Sequence, residues 1–277
     1  MATLYLVATP IGNLGDITLR AIKVLDNSEV LYCEDTRVTH KLLSHLNIKT
    51  AGKKIASLNL TNEYAKVGEV IDDLNAGKQV CIVSDAGMPS ISDPGAWVVS
   101  KVLEADHIVT VVPGPSSVTA GLAMCGFNSD RFYFAGFIPK GNSEKAKALE
   151  FISRMNCTSV FFESPHRLVQ TVEELVKTLS PDRKIAIAKE LTKLNETLLV
   201  KPAGEILSYL EKLTIKGEFV VLVAPNTKEP KNSDTDAISL YGELISSGVD
   251  TKAAIVFVSK YLKISKNHLY SLLKISS

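Results

Sequence analysis

The sequence predicts an α/β fold: two α/β domains with a cleft between them, then a small C-terminal helical domain. Three observations predict it. Strand-like and helix-like runs alternate from the first residues to about residue 223, which implies mainly parallel sheets covered by helices. The alternation breaks at Pro113-Gly114-Pro115 and then restarts. A polar stretch over 226–236, carrying Pro230, Asn232 and Ser233, reads as a linker before three short helical runs. The expected domains are 1–117, 118–226 and 233–277.

The elements follow in order. Thr3 to Ala8 is apolar and β-rich, and Thr18 to Leu25 carries apolar residues at helical spacing. Glu29 to Cys33 reads as a strand and Thr36 to Leu46 as a helix. Asn62 is placed to cap a helix through Asn75, which Gly77 ends. Gln79 to Val83 is a strand, Trp97 to Ala105 a helix, Ile108 to Val112 a strand and Ser116 to Cys125 a helix. In the second half, 131–135, 159–162, 184–188, 196–200 and 219–223 read as strands, and 143–155, 167–179 and 203–210 as helices. No helix separates the runs near 185 and 197, so that pair is expected to be antiparallel. The helical runs 237–245, 251–262 and 266–273 close the chain, with Asp250 as an N-cap. The last two, joined at Lys263-Ile264-Ser265, match a helix-turn-helix pattern. From Asp250 onward five lysines, including Lys263 and Lys274, face one acid, a net of +4. A basic RNA-binding arm and a small bundle with a solvated face fit this equally well.

Composition narrows the function classes. Of 277 residues, 45% are hydrophobic, enough for a sizeable core. The net charge of +1 advertises no nucleic acid, so any such affinity has to come from local patches. No apolar stretch reaches the ~18–20 residues that span a bilayer, and the N-terminus lacks a signal-peptide pattern. A soluble, cytoplasmic protein is expected. Cys33, Cys81, Cys125 and Cys157 lie too far apart for a zinc motif, and the histidines form none, so no metal site is expected. Gly12-Asn13-Leu14-Gly15 is not a dinucleotide fingerprint, and residues 136–143 carry Asn142 where a P-loop needs its lysine.

What remains is a set of polar loops at strand ends. They are 9–13, 34–37, 84–95, 113–117, 163–167 and 189–193. The third is the longest: with Val83, the last strand residue, it makes a thirteen-residue stretch to Gly95, against the usual ~2–6 for a strand-to-helix connection. Gly, Pro, Asp and Ser make turns in any protein. Six such loops at strand ends favour a ligand cleft.

These loops, in this order, resemble those of S-adenosylmethionine-dependent methyltransferases of the tetrapyrrole-methylase fold (class III methyltransferases). More closely, they resemble the bacterial ribosomal RNA small-subunit methyltransferase I group. The matching stretches are LYLVATPIGNLGDITLRA (4–21), CEDTR (33–37), SDAGMPSISDPG (84–95), VVPGPSS (111–117), GFIPKG (136–141), FFESPHR (161–167), KELTKLNE (189–196) and GEFVVLV (217–223). The resemblance implies S-adenosyl-L-methionine held between the two domains. It puts Pro10, the turn Gly87-Met88-Pro89 with Ile91, Ser116, Ser117, Glu163 and Leu191 at the cofactor, together with Asp85 and Ala86. Met88 departs from the pattern, standing where many relatives carry Asp. The resemblance also implies transfer to the ribose 2′-hydroxyl of a cytidine in the decoding region of 16S ribosomal RNA. A homodimer is expected for this fold.

Transfer to a hydroxyl calls for a general base, worth ~100–10,000-fold. Asp35, Glu190 and His166 are the candidates, with Lys189 grouped beside Glu190 as catalytic. Glu34, Arg37, Arg167 and Lys193 are candidates for holding the RNA substrate. Two rival readings stay open at this stage: a same-fold methylase of a small molecule such as a tetrapyrrole, and a non-catalytic RNA-binding ribosome-assembly protein.

Overall fold

The protein is described by a computed structural model covering residues 2–227, 234–262 and 264–273. Pro230, Asn232 and Ser233 of the linker, and Lys263 and Lys274 of the basic tail, lie outside the described residues. The chain forms two compact units, Met1–Pro225 and Asn226–Ser277.

The first unit opens with β1 (Thr3–Val7), α1 (Leu19–Asn27), β2 (Val30–Cys33), α2 (Thr36–His45), β3 (Lys54–Ser57), α3 (Glu63–Asn75), β4 (Val80–Val83), α4 (Ala96–Glu104) and β5 (Ile108–Val112). Its five strands form one parallel sheet in the order β3-β2-β4-β1-β5. Both faces are covered, so the apolar runs fill two cores. Leu4, Leu6, Tyr32 and Ile82 pack against α3 and α4, while Val7, Leu31, Cys33 and Val83 pack against α1 and α2. That two-sided burial is why these strands read as continuous apolar runs. Because all five run parallel, the loops after β1, β2, β4 and β5 leave the same edge.

α5 (Ser117–Cys125) follows, and β6 (Phe132–Phe137), α6 (Asn142–Arg154), β7 (Thr158–Glu163), α7 (Pro165–Val176), β8 (Lys184–Lys189), β9 (Thr197–Pro202), α8 (Ala203–Leu210) and β10 (Phe219–Val223) build a second sheet. Its order is β6-β7-β10-β8-β9. Only β6 and β7 run parallel; β10 is antiparallel to β7 and β8, and the expected antiparallel pair is β8 with β9. α6, α7 and α8 cover one face, and α5 covers the other through Val118 and Leu122. Gly121 faces Val220 and Leu222 of β10, with room there for no more than an ordinary methyl contact. The expected boundary at 117/118 falls in the first turn of α5, a helix that leaves the first sheet and packs on the second.

The second unit contains α9 (Asp234–Ser246), α10 (Thr251–Tyr261) and α11 (Lys266–Leu273), packed around Ala237, Ile255, Val258 and Leu269. Asp250 caps α10 as expected, accepting from the N–H groups of Lys252 and Ala253. Asn62 stands at the N-cap of α3 as expected but makes no side-chain capping bond; its side-chain oxygen accepts from the Asn59 N–H at 2.8 Å instead, tightening the preceding turn.

Candidate active site

A cavity of about 400 Å³ lies where the strand-end loops of the two sheets meet. Volumes of roughly 300–1,000 Å³ hold small-molecule ligands. The first sheet contributes Ile11, Glu34, residues 85–88 and 91–93, and the start of α5 at Ser116, Ser117 and Val118. The second contributes Phe137, residues 162–165, Leu191 and residues 217–220.

Two cross-links set the first sheet's loops. Thr9 and Gly87 exchange backbone hydrogen bonds of 2.9 and 3.1 Å, joining the loops after β1 and β4. The Asp35 N–H donates to Asp85 Oδ1 at 3.1 Å, joining the loops after β2 and β4. The loop after β4 is strained as well as long. Ser90 and Ser92 adopt φ of 68° and 62°, beside Gly87 at 83° and Gly95 at 126°. Non-glycine residues pay for that region, and such positions cluster where geometry serves a ligand.

The carboxyl groups divide into two kinds. Glu34, Asp85 and Asp93 line the cavity, and burial pushes all three above the usual carboxylate range. Repulsion from Asp93, Asp85 and Asp35 adds to the rise at Glu34. Among the described residues the Glu34 carboxylate has no hydrogen-bonding partner. Asp35 is the opposite case. It caps α2 and grips the Arg37 guanidinium at 2.5 Å, which holds its pKa down to about 2.

Of the cofactor-facing residues expected from sequence, Asp85, Ala86, Gly87, Met88, Ile91, Ser116, Ser117, Glu163 and Leu191 line the cavity, and so does Glu34. Pro10 sits one residue from the wall, which Ile11 forms instead. Glu163 is buried and occupied, accepting from Thr171 Oγ1 at 2.7 Å and pairing with Arg167 at 3.2 Å.

The remaining expected residues lie outside the lining, each with other partners or exposure. Arg167 donates to the Ile138 and Pro139 carbonyls at 2.8 and 3.0 Å, so its guanidinium is committed to the fold. Lys189 is buried and donates to the Thr214 carbonyl at 2.8 Å. Glu190 Oε1 accepts from Lys193 Nζ at 2.8 Å and from the Glu218 N–H at 2.9 Å, and these contacts lower its pKa. Lys193 also reaches Glu218 at 3.0 Å. Arg37 is exposed and paired with Asp35, and His166 is exposed on the first turn of α7.

Sequence reasoning passed over Ser92 and Asp93, Phe137 and Phe162, and residues 217–220. Loops that follow strands were the signal sought, and β10 runs antiparallel. Its beginning, not its end, therefore meets the cavity: Phe219 pairs with both Glu163 and Lys189.

Comparison with known proteins agrees with this architecture. Residues 3–207 match the family described as Tetrapyrrole (Corrin/Porphyrin) Methylases. The crystal structure of the methyltransferase CobJ superposes with a TM-score of 0.62 at 16% identity, covering 83% of this chain and 96% of that one. Cobalt precorrin-4 methyltransferase gives 0.59 at 19%, covering 80% and 94%. At such identity the likeness concerns the fold, which is that of a class III methyltransferase. Nearer relatives carry the name "Ribosomal RNA small subunit methyltransferase I". The one from Vibrio cholerae is 38% identical over 270 residues, 96% of this chain and 92% of that protein. The one from Halalkalibacterium halodurans is 37% identical over 275 residues, 98% and 94%. The one from Thermotoga maritima is 40% identical over 224 residues, 81% of this chain and 99% of that protein. The chain belongs to the tetrapyrrole methylase family and, within it, to the ribosomal RNA small subunit methyltransferase I group. No helix among the described residues is long and apolar enough to cross a membrane.

Proposed function

We propose that the protein transfers the methyl group of S-adenosyl-L-methionine to the ribose 2′-hydroxyl of a cytidine in the decoding region of 16S ribosomal RNA. The observation that carries this reading is the cavity built by loops of both sheets in a chain with near-full-length relatives named for ribosomal RNA methylation. The lining fits the cofactor. Ile11, Met88, Leu191 and Val220 offer an apolar wall for its ring system. Glu34, Asp85 and Asp93 offer negative charge to its ammonium and sulfonium centres. The amino end of α5, at Ser116 and Ser117, offers N–H groups to its carboxylate.

When bound, the cofactor supplies an electrophilic methyl group. The cavity walls hold the two reactants in line, a positioning effect that contributes ~7–11 kcal/mol. The acceptor hydroxyl has to lose its proton, and Glu34 is placed to take it. Its carboxylate lines the cavity, is free of other partners and holds a proton more tightly than an ordinary carboxyl. Asp35 and Glu190 are weaker proton acceptors, because Arg37 and Lys193 stabilise their charged forms. We therefore assign those two, with Lys189, to positioning the loops, and Arg37 and Lys193 to the RNA side of the mouth. The protein acts in the cytoplasm on the small ribosomal subunit, as a homodimer.

Calorimetry with S-adenosylmethionine, followed by methylation assays on small subunits and on naked 16S RNA, tests the reading. Binding of the cofactor and a new 2′-O-methylcytidine in the decoding region are expected. Cofactor binding without ribose methylation sinks the proposed substrate, and no cofactor binding sinks the whole reading. Sedimentation of the pure protein tests the dimer.

A further inference from the structure

β6 and β7 pair in simple register as far as Phe134 opposite Val160, and then Phe137 stands opposite Phe162. β6 spends three residues where β7 spends two, which is a bulge. Gly136, with φ of 66°, takes the turn that the extra residue requires. The bulge reverses the side on which Phe137 emerges. Regular alternation would send it with Tyr133 and Ala135 into the core beneath α6 and α7. Instead it joins Phe134 against the Phe162 ring, with centroids 5.3 and 5.1 Å away and both pairs edge-to-face. The Phe137 ring lines the cavity yet remains 59% exposed.

The backbone that follows the ring is also held. Ile138, the next residue, is buried, and Arg167 grips the carbonyls of Ile138 and Pro139. Arg167 is itself anchored by buried Glu163. A bulge, a left-handed glycine and a guanidinium clamp on the following backbone thus fix the place of a large, mostly exposed apolar ring at a cavity mouth.

We propose that Phe137 is the stacking platform for a nucleobase of the RNA substrate, holding the target nucleotide at the mouth while its ribose enters the cavity. This rests on the reading that the protein methylates ribosomal RNA. A nucleotide whose ribose is drawn into a cavity gives up stacking on its neighbours, and an aromatic side chain replaces the stacking that is lost. The charge of the cavity points the same way. Glu34, Asp85 and Asp93 repel phosphate from the cavity itself, so an uncharged surface that accepts a base suits the nucleotide that enters, while Arg37 and Lys193 serve the flanking phosphates.

The test uses the full chain with small ribosomal subunits, or the RNA form that the wild type methylates. Phe137→Ala is expected to raise KM for the RNA by roughly 5- to 150-fold, the range that losing one base–aromatic stack gives, with the Kd for S-adenosylmethionine unchanged. Phe137→Trp keeps the wild-type KM. Phe137→Leu, similar in hydrophobicity but without a π face, behaves like the alanine variant. A fluorescent cytidine analogue at the target position is quenched by the wild type and not by Phe137→Ala. An unchanged KM in Phe137→Ala overturns the proposal. So does a cofactor Kd that rises by the same factor as KM, since that places the ring on the cofactor's adenine. If the wild type binds the cofactor but methylates no RNA, the underlying reading fails and this proposal falls with it; methylation with KM unmoved by Phe137→Ala removes the platform alone.

Discussion

Glu34 and Asp35 are neighbours with opposite chemistry. Glu34 is half-buried, unpaired and surrounded by like charge, so its proton is held tightly. Asp35 is clamped by Arg37 and gives its proton up near pH 2. Sequence alone made Asp35 the base candidate and Glu34 a substrate-holding one, because nothing in the letters says which side chain turns inward. Glu34→Gln should lower kcat by ~100–10,000-fold while calorimetry finds cofactor affinity intact. Wild-type turnover in that variant returns the base role to Asp35, His166 or Glu190. The pH profile carries a sign that checks the same residue. Activity requires the deprotonated carboxylate, so it falls as pH drops through the raised pKa of Glu34. Asp93 is the strongest of the repelling neighbours. Asp93→Asn should therefore move that acid limb to lower pH, and a limb that stays put excludes Glu34 as its source.

At the scale of elements, the connection from β8 to β9 is constrained from both ends. Glu190 and Thr192 sit at φ of 52° and 65°, and Glu190 bonds the start of β10 through both its backbone and its side chain. Gly217 closes the clamp: its φ is 97°, and a Cβ there would collide with the Glu190 carboxylate. Gly217→Ala should cost about 1–3 kcal/mol and lower the melting temperature. Turnover should fall with it, because residues 217–220 are cavity wall. A melt identical to wild type would show that the clamp is not holding the loop. The clamp itself is invisible in sequence, since its halves lie 28 residues apart. β8, β9 and β10 were legible as strand-like runs, and so was the antiparallel pairing of β8 with β9; the place of β10 between β7 and β8 was not. β3 was missed for the opposite reason: Lys54–Ser57 is a half-buried edge strand with no apolar run to announce it. The bulge at Gly136 was missed because one glycine in a strand pattern has several meanings. Only the register separates them.

At the scale of the whole molecule, the chain divides its tasks between two units. The first unit carries every cavity residue and the cores of both sheets, whereas the second has its own small core. The Thermotoga relative, nearly all of which is spanned by the 224-residue match, has no room for an equivalent of both units. A chain ending at Pro225 should therefore fold and methylate at saturating RNA. Its RNA affinity should be weaker, and the plot of log K against log salt should flatten by about 0.7–0.9 for each lysine–phosphate contact removed. Equal affinity and slope would make the helical unit something other than an RNA arm.

α5 has a thermodynamic consequence of its own. It begins at the cavity, at the end of the first sheet's edge strand, yet it buries its apolar side chains on the second sheet. A ligand that grips its amino end stabilises one helix whose unfolding would open the second sheet's core. Saturation at about a hundred times Kd adds ~2.7 kcal/mol against unfolding, and that increment is shared by strands the ligand never meets. β9 lines no part of the cavity but lies beneath α5. Its amide hydrogens should exchange more slowly once S-adenosylmethionine is added, reporting occupancy of the site from the far edge of the sheet.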